Sequence, residues 1–266
     1  MAERDTIALV ATPVTEQSLL CDLRALGIKR GDTLIVHSAM HKIGWVCGRE
    51  VAVVKALLCA VGRTGLLVMP AHSGDNSEPS DWQNPPVPEG WFAAIREAMP
   101  AYDRHVMPTR CMGRIAECFR TWPGTRRSAH PQVSWCARGI GACWLLRGHT
   151  VQKPCFGMKS PLGRLYRRNA KVLLLGVGYD NCTALHLAET LSPGTPKMAV
   201  GAAVRVCGKR VWRSWQEIDM NSDRFPMIGE AYKASGGKVV SGNIAAAACK
   251  VVRVRPLVDF GVKWLG

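Results

Sequence analysis

From Thr15 onward, apolar residues recur at helical intervals: Leu19, Leu20, Leu23 and Leu26 share one face, and Gly27 ends the run. Thr15 carries the hydroxyl that an N-cap needs, so the pattern predicts a helix starting near Glu16. Asp32 to His37 reads as a short buried strand, Val51 to Val61 as an apolar helix, and Gly65 to Pro70 as a second buried strand. Helices are predicted over Trp91–Met99 and Met112–Arg120, a turn over Arg127–Pro131, and a helical or mixed stretch over Ala137–Arg147. Ser160-Pro161 opens a short helix with proline in its first turn. Lys171 to Gly178 is an apolar strand ending in glycine, and a helix follows over Ala184–Leu191. Ala199–Arg205 and Arg210–Trp215 form a hairpin around Gly208, and helices cover Met227–Ala234 and Asp259–Leu265. Continuous apolar strands alternating with helices place the chain in the α/β class.

Residues 73–90 show no periodicity and are rich in proline, which marks a loop of functional length. No apolar run approaches the roughly eighteen residues of a membrane-spanning helix. The charged start, Met1 to Thr6, lacks the apolar core of a secretory signal, so a cytoplasmic location is expected. The 11 cysteines are scattered without a C-x-x-C pair and read as reduced, mostly buried small side chains. No metal site is expected, because no carboxylate completes a set with His37 and His41.

At 47% hydrophobic residues the chain has enough apolar surface for a packed core, which excludes wholesale disorder. Its net charge is +15. The cations are dispersed in pairs such as Arg126-Arg127, with no aromatic-interleaved basic patch, which argues against a nucleic-acid partner. Residues 64–95, 172–196 and 214–223 contain no Lys or Arg. They hold Asp75, Glu78, Asp81, Glu189, Glu217 and Asp219 among their acids. Such segments offer a cationic ligand local places on a basic protein.

The chemistry concentrates in Leu173 to Glu189. An apolar strand ends at a glycine turn, a polar loop Asp180-Asn-Cys-Thr183 follows, and Thr183, His186 and Glu189 then share one helix face. An imidazole titrating near neutrality can take a proton from an amine or hydroxyl. The same residues also fit a core histidine beside a solvated acid. Further polar segments, at His37-Ser38, His72-Ser73, Ser128-Ala-His130 and Ser160-Pro161, lie at predicted strand ends or turns, where open α/β sheets place ligands.

Seven segments in order, LIVHSAM, LLVMP, MGRIAE-x-FR, RRSAHP-x-x-S, SPLGRLY, KVLLLGVGYDNCTALHLAE and RPLVDFGVKWL, resemble the aminoglycoside 3-N-acetyltransferase family from about Gln17 to Leu265. This antibiotic N-acetyltransferase family is distinct from the GNAT acetyltransferases. The resemblance implies one α/β domain over residues 1–266, with a mixed central sheet flanked by helices. It implies direct transfer of acetyl from acetyl-CoA to the 3-amino group of an aminoglycoside, without a covalent enzyme intermediate, conferring resistance. His186 is then the general base, Glu217 its orienting acid and Thr183 the residue near the thioester carbonyl. CoA is expected at the strand ends 37–42 and 69–73, on His37, Ser38, Ala39, Met40 and Lys42, with Arg110, Met112 and Arg114. Asp75, Glu78, Asp81, Glu189 and Asp219 are the expected contacts of a cationic amine. The enzyme is expected as a monomer or homodimer. Two alternatives stay open: transfer to a different amine, and a non-catalytic basic protein with an anionic partner.

Overall fold

The computed structural model describes residues 3–151 and 154–266. A seven-stranded mixed sheet is built from β1 (Thr33–Ser38), β2 (Leu66–Pro70), β3 (Arg126–Arg127), β4 (Trp135–Gly139) and β5 (Lys171–Leu175). A separate hairpin, β6 (Lys197–Val206) and β7 (Lys209–Ile218), is followed by β8 (Val239–Ile244) and β9 (Ala247–Arg253), which complete the main sheet. Its order is β3-β4-β2-β1-β5-β9-β8. Strand β1 runs parallel to β2 on one side and β5 on the other, while β4 and β9 flank them antiparallel.

The three parallel strands are apolar because both faces are covered. Leu34 and Val36 of β1 pack with Leu67, Leu173 and the helices Glu16–Ala25, Arg49–Val61 and Gly113–Thr121. Ile35, Leu66, Val172 and Leu174 face the other layer, made by helices Pro161–Arg167, Leu185–Leu191, Phe225–Ala234 and Val254–Leu265. Burying each such side chain contributes about 1.5–3 kcal/mol. The alternation also fixes where chemistry goes. His37, two residues after Ile35, falls on the face that carries helix Leu185–Leu191.

Helix Glu16–Ala25 opens on a capping box in which Ser18 N donates to Thr15 Oγ1 at 3.2 Å and Thr15 N donates to Ser18 Oγ at 3.0 Å. The predicted strand at Lys171 stops at Leu175, because Gly176 turns the chain with φ +68°. The mixed stretch at 137–147 resolves into β4 and a short helix Ala142–Leu146, separated by the positive-φ glycines Gly139 and Gly141. Arg126 and Arg127, which lead into the expected turn, pair with β4 as an edge strand. The final helix starts at Val254 rather than Asp259, and the β8–β9 hairpin precedes it. The N-terminal helix Glu3–Ile7 buries none of its residues and left no apolar signal. Among the described residues no helix is long and apolar enough to cross a membrane.

The β6–β7 hairpin is longer than its pattern predicts, with ten paired positions from Lys197↔Ile218 to Val206↔Lys209. Fully buried Asn76, in the proline-rich loop, anchors it. Its Nδ2 donates to Ala203 O at 2.9 Å and its Oδ1 accepts from Ala203 N at 2.8 Å. Asn76→Ala leaves that backbone pair without its side-chain partner. It should lower unfolding stability by about 2 kcal/mol in denaturant titration.

Candidate functional site

Because β1 feeds β2 on one side and its other neighbour is β5, the chain divides above the C-terminal end of β1, where doubly wound sheets open a crevice. A cavity of about 660 Å³ lies there. His37 to Met40 after β1, Pro70 and His72 after β2, and Val177, Asp180, Asn181, Thr183 and His186 after β5 line it. Its other wall comes from Trp45 to Glu50, Cys111 to Arg114, and Glu3 and Thr6 of the N-terminal helix.

His186 is held on several sides. Its Nδ1 donates to Glu189 Oε2 at 2.6 Å, one helical turn on. The ring stacks on Phe156 at 5.2 Å with 7° between planes, and meets Phe225 edge-on at 4.8 Å. Glu189, only 2% exposed, receives Asn221 N on its other oxygen at 3.1 Å. With Nδ1 committed to a carboxylate that only accepts, Nε2 carries the lone pair and has no protein partner. Thr183 borders the same cavity one turn earlier, its hydroxyl likewise without a protein partner and its carbonyl accepting from His186 N at 3.1 Å.

The carboxylate in contact with His186 is Glu189, and Glu217 makes no contact with it. Glu217 is buried, but its Oε2 accepts from Cys155 N at 2.8 Å and its Oε1 from Ile218 N at 3.1 Å. It fixes the segment that carries Phe156, and so reaches His186 only through that ring. Spacing along the helix put Glu189 on the face of His186, while the family resemblance made Glu189 a substrate contact and Glu217 the orienting acid.

The loop acids are also placed differently from expectation. Asp75 pairs with Arg110, Glu78 pairs with Arg96 at 2.6 Å, Asp81 and Asp219 are exposed, and none of the four lines the cavity. Arg110, spent on Asp75, is absent from the lining, and Lys42 borders a different depression beside Gly176 and Ser241. His37, Ser38, Ala39, Met40, Met112 and Arg114 do line the cavity. Sequence reasoning missed Arg49 and Glu50 at the start of a plain apolar helix, and passed over His72 as a polar strand end.

Helices Arg49–Val61 and Gly113–Thr121 begin at the cavity wall, and neither has a side-chain cap. At the first of them Arg49 N already donates to Val46 O at 3.0 Å and Val51 N to Gly48 O at 3.2 Å. The start of Gly113–Thr121, with the Arg49 and Arg114 guanidiniums, suits phosphate oxygens. Arg49 is paired with Glu3 at 2.5 Å and Arg114 with Glu50 at 2.9 Å, both at the surface. Burial, helped by the nearby His186 charge, holds His37 and His72 down to about 3, so neither competes for a proton. Each leaves a buried Nε2 without a partner. Cys182 is fully buried and its thiol is pushed up to about 12, the reverse of an activated nucleophile. Among the described residues no group of three His, Cys, Asp or Glu side chains is placed to hold a metal ion.

Residues 35–266 match the sequence profile of a family described as aminoglycoside 3-N-acetyltransferase. The chain is 43% identical to the SPbeta prophage-derived aminoglycoside N(3')-acetyltransferase-like protein YokD of Bacillus subtilis (strain 168), over 95% of this chain and 92% of that protein. The crystal structure of YokD superposes with TM-score 0.95 over 98% of this chain and 96% of its own. Aminoglycoside N(3)-acetyltransferase VIII of Streptomyces fradiae is 36% identical over 100% of this chain and 96% of its own. The structure of AAC-IIIb in a binary complex with CoASH is similar at TM-score 0.84 and 31% identity, covering 96% of this chain and 97% of that one.

The buried histidines set an acid limit on the fold. His37, His72 and His149 are held to about 3 and His130 well below 6.5, mainly by burial. These folded values lie below the unfolded value, so the unfolded chain takes up protons first as the pH drops. Stability is complete above 6.5 and is lost towards 3. The loss is up to about 1.4 kcal/mol per pH unit for each histidine. Denaturant midpoints measured at about pH 7.5 and pH 5 should fall with acid, and less so for His130→Asn.

Proposed function

The chain belongs to the aminoglycoside 3-N-acetyltransferase family, and on that footing we propose that its one domain transfers acetyl from acetyl-CoA directly to an aminoglycoside 3-amino group. The observation that carries this reading is His186, whose Nδ1 is fixed by a buried carboxylate and whose Nε2 is open to the cavity. An ammonium cannot attack a thioester until it loses a proton. Nε2 takes that proton, and Glu189 steadies the imidazolium that results. The amine nitrogen bonds to the acetyl carbon, and the tetrahedral oxyanion collapses with loss of the CoA thiolate. The Thr183 hydroxyl is placed to donate to that oxyanion, which at such sites is worth a few kcal/mol. Neutral His37 and His72 keep the acyl end of the cavity free of competing charge.

The CoA pantetheine lies along His37 to Met40 and Met112, with its phosphates at the start of helix Gly113–Thr121, Arg49 and Arg114. The CoA-bound relative supports that assignment of the co-substrate. On the acceptor side, exposed Asp180 beside Asn181 offers a carboxylate to an incoming ammonium. Acetylation of the drug in this way is the basis of a resistance role. One observation favours a second acceptor class: the loop acids Asp75 and Glu78 are already paired with arginines, which lowers their value to a polycation.

The test is thiol release from acetyl-CoA with a panel of aminoglycosides and simpler amines. Release should depend on an aminoglycoside. His186→Ala should lower turnover about a hundredfold or more with little change in CoA affinity. Glu189→Gln should lower turnover and shift its pH profile. Glu217→Gln should mainly cost stability, about 1–3 kcal/mol, because it anchors backbone rather than the base. Loss of turnover in Glu217→Gln with normal turnover in Glu189→Gln would refute the dyad. Release with simple amines alone would establish the second acceptor class.

A further inference from the structure

The +15 charge is unexplained by the catalytic cavity, and part of it is concentrated at the β3 edge of the sheet. A groove of about 960 Å³ lies there between residues 120–127 and the helix Ala142–Leu146 with its following turn. It shares no lining residue with the catalytic cavity. Its wall holds Arg104, Arg120, Arg126, Arg127 and Arg147, and no Asp, Glu or Lys. Through Arg104, His105, Ala129 and Thr150 it continues into a second depression of about 480 Å³ that adds Arg205 and Arg213 and one carboxylate, Asp103, which accepts from His105 N at 2.8 Å.

Two of these arginines are structural. Arg120 pairs with Glu117 at 2.6 Å, and Arg127 is buried, donating to the carbonyls of Met107 and Ala71. Arg205 reaches the Gly208 carbonyl at 3.5 Å, and the other four are uncommitted. Arg126, Arg147 and Arg213 are exposed and have no hydrogen-bond or ion-pair partner, and Arg104 reaches only the neighbouring His105 ring, at 3.3 Å. The Thr125 hydroxyl, in the same wall, is buried without a partner. Like charges crowded into a concavity repel one another unless a counter-charge lies among them. Guanidinium forks match phosphate oxygens bidentately, and the lining holds arginine to the exclusion of lysine.

We infer that this groove is a second site, separate from the catalytic cavity, for a small molecule carrying a chain of phosphates. A phosphate chain sets several charges along the line from Arg126 and Arg147 to Arg104 and Arg213, and its oxygens accept from the orphan Thr125 hydroxyl. The volume suits a small ligand. Trp122 is the one aromatic side chain besides the histidines in the larger depression, too little for the stacking platform that a polynucleotide uses.

The test is calorimetric titration with inorganic triphosphate and with ATP, the catalytic cavity being kept filled with acetyl-CoA. The wild-type chain is compared with Arg126→Ala/Arg147→Ala, and thermal unfolding checks that the variant is folded. The expected result is one triphosphate per chain, bound about tenfold or more weakly by the variant, while the KM for acetyl-CoA in thiol release is unchanged. Binding should weaken as salt rises. Arg126→Lys/Arg147→Lys keeps the charge and loses the forks, so it should fall between the two. Equal binding of ATP and triphosphate identifies the phosphate chain as what is read; tighter ATP adds a base contact at Trp122. No binding by the wild type, or equal binding by wild type and alanine variant, overturns the site. A short single-stranded RNA that outcompetes triphosphate, and is lost in the same variant, replaces the small ligand with a polynucleotide.

Discussion

A carboxylate taken out of water must be fully bonded or it is costly, and Glu189 meets that demand by gripping His186 with one oxygen and the Asn221 backbone with the other. Much of the site follows from this. The pair lies one turn apart on a single helix, so their relative position is set by helix geometry alone. The helix starts at the crevice because β5 ends in the positive-φ Gly176 and the chain crosses the sheet edge through Tyr179 to Asn181. Gly229 packs against the Tyr179 ring so closely that a Cβ there would overlap it. The loop that delivers Thr183 and His186 is thus wedged from beneath by helix Phe225–Ala234.

The aromatic rings do a second task. Phe156 and Phe225 bracket the imidazole, and both are buried. Phe156 sits in a segment whose backbone is tied by Glu217, at the end of the β6–β7 hairpin. Asn76 ties the same hairpin to the loop after β2. Hairpin, loop and His186 are therefore one mechanically continuous body, although no hairpin residue lines the cavity.

Much of this was legible in the sequence. The apolar strands Leu34–Val36, Leu66–Met69 and Val172–Leu175 are continuous because they are covered on both faces, and that pattern gave the α/β class directly. The one-turn spacing of Thr183, His186 and Glu189 put them on one face before any coordinates. Other parts were hidden for physical reasons. Strand β8 is the sheet edge, mostly exposed and without a hydrophobic run, and β9 lies between it and β5. The role of Glu217 could not be read, since its partners are backbone N–H groups that no residue type announces. The loop acids looked available because their neutralising partners, Arg96 and Arg110, are 18 and 35 positions away in the chain.

Keeping His186 and Glu189 on one helical turn has an evolutionary side. The contact itself draws on no side chain of the hairpin or of the loop at 73–90. Both still brace its surroundings through Glu217, Phe156 and Asn76. A change of length in either would therefore reach the imidazole through its packing and leave its carboxylate partner in place.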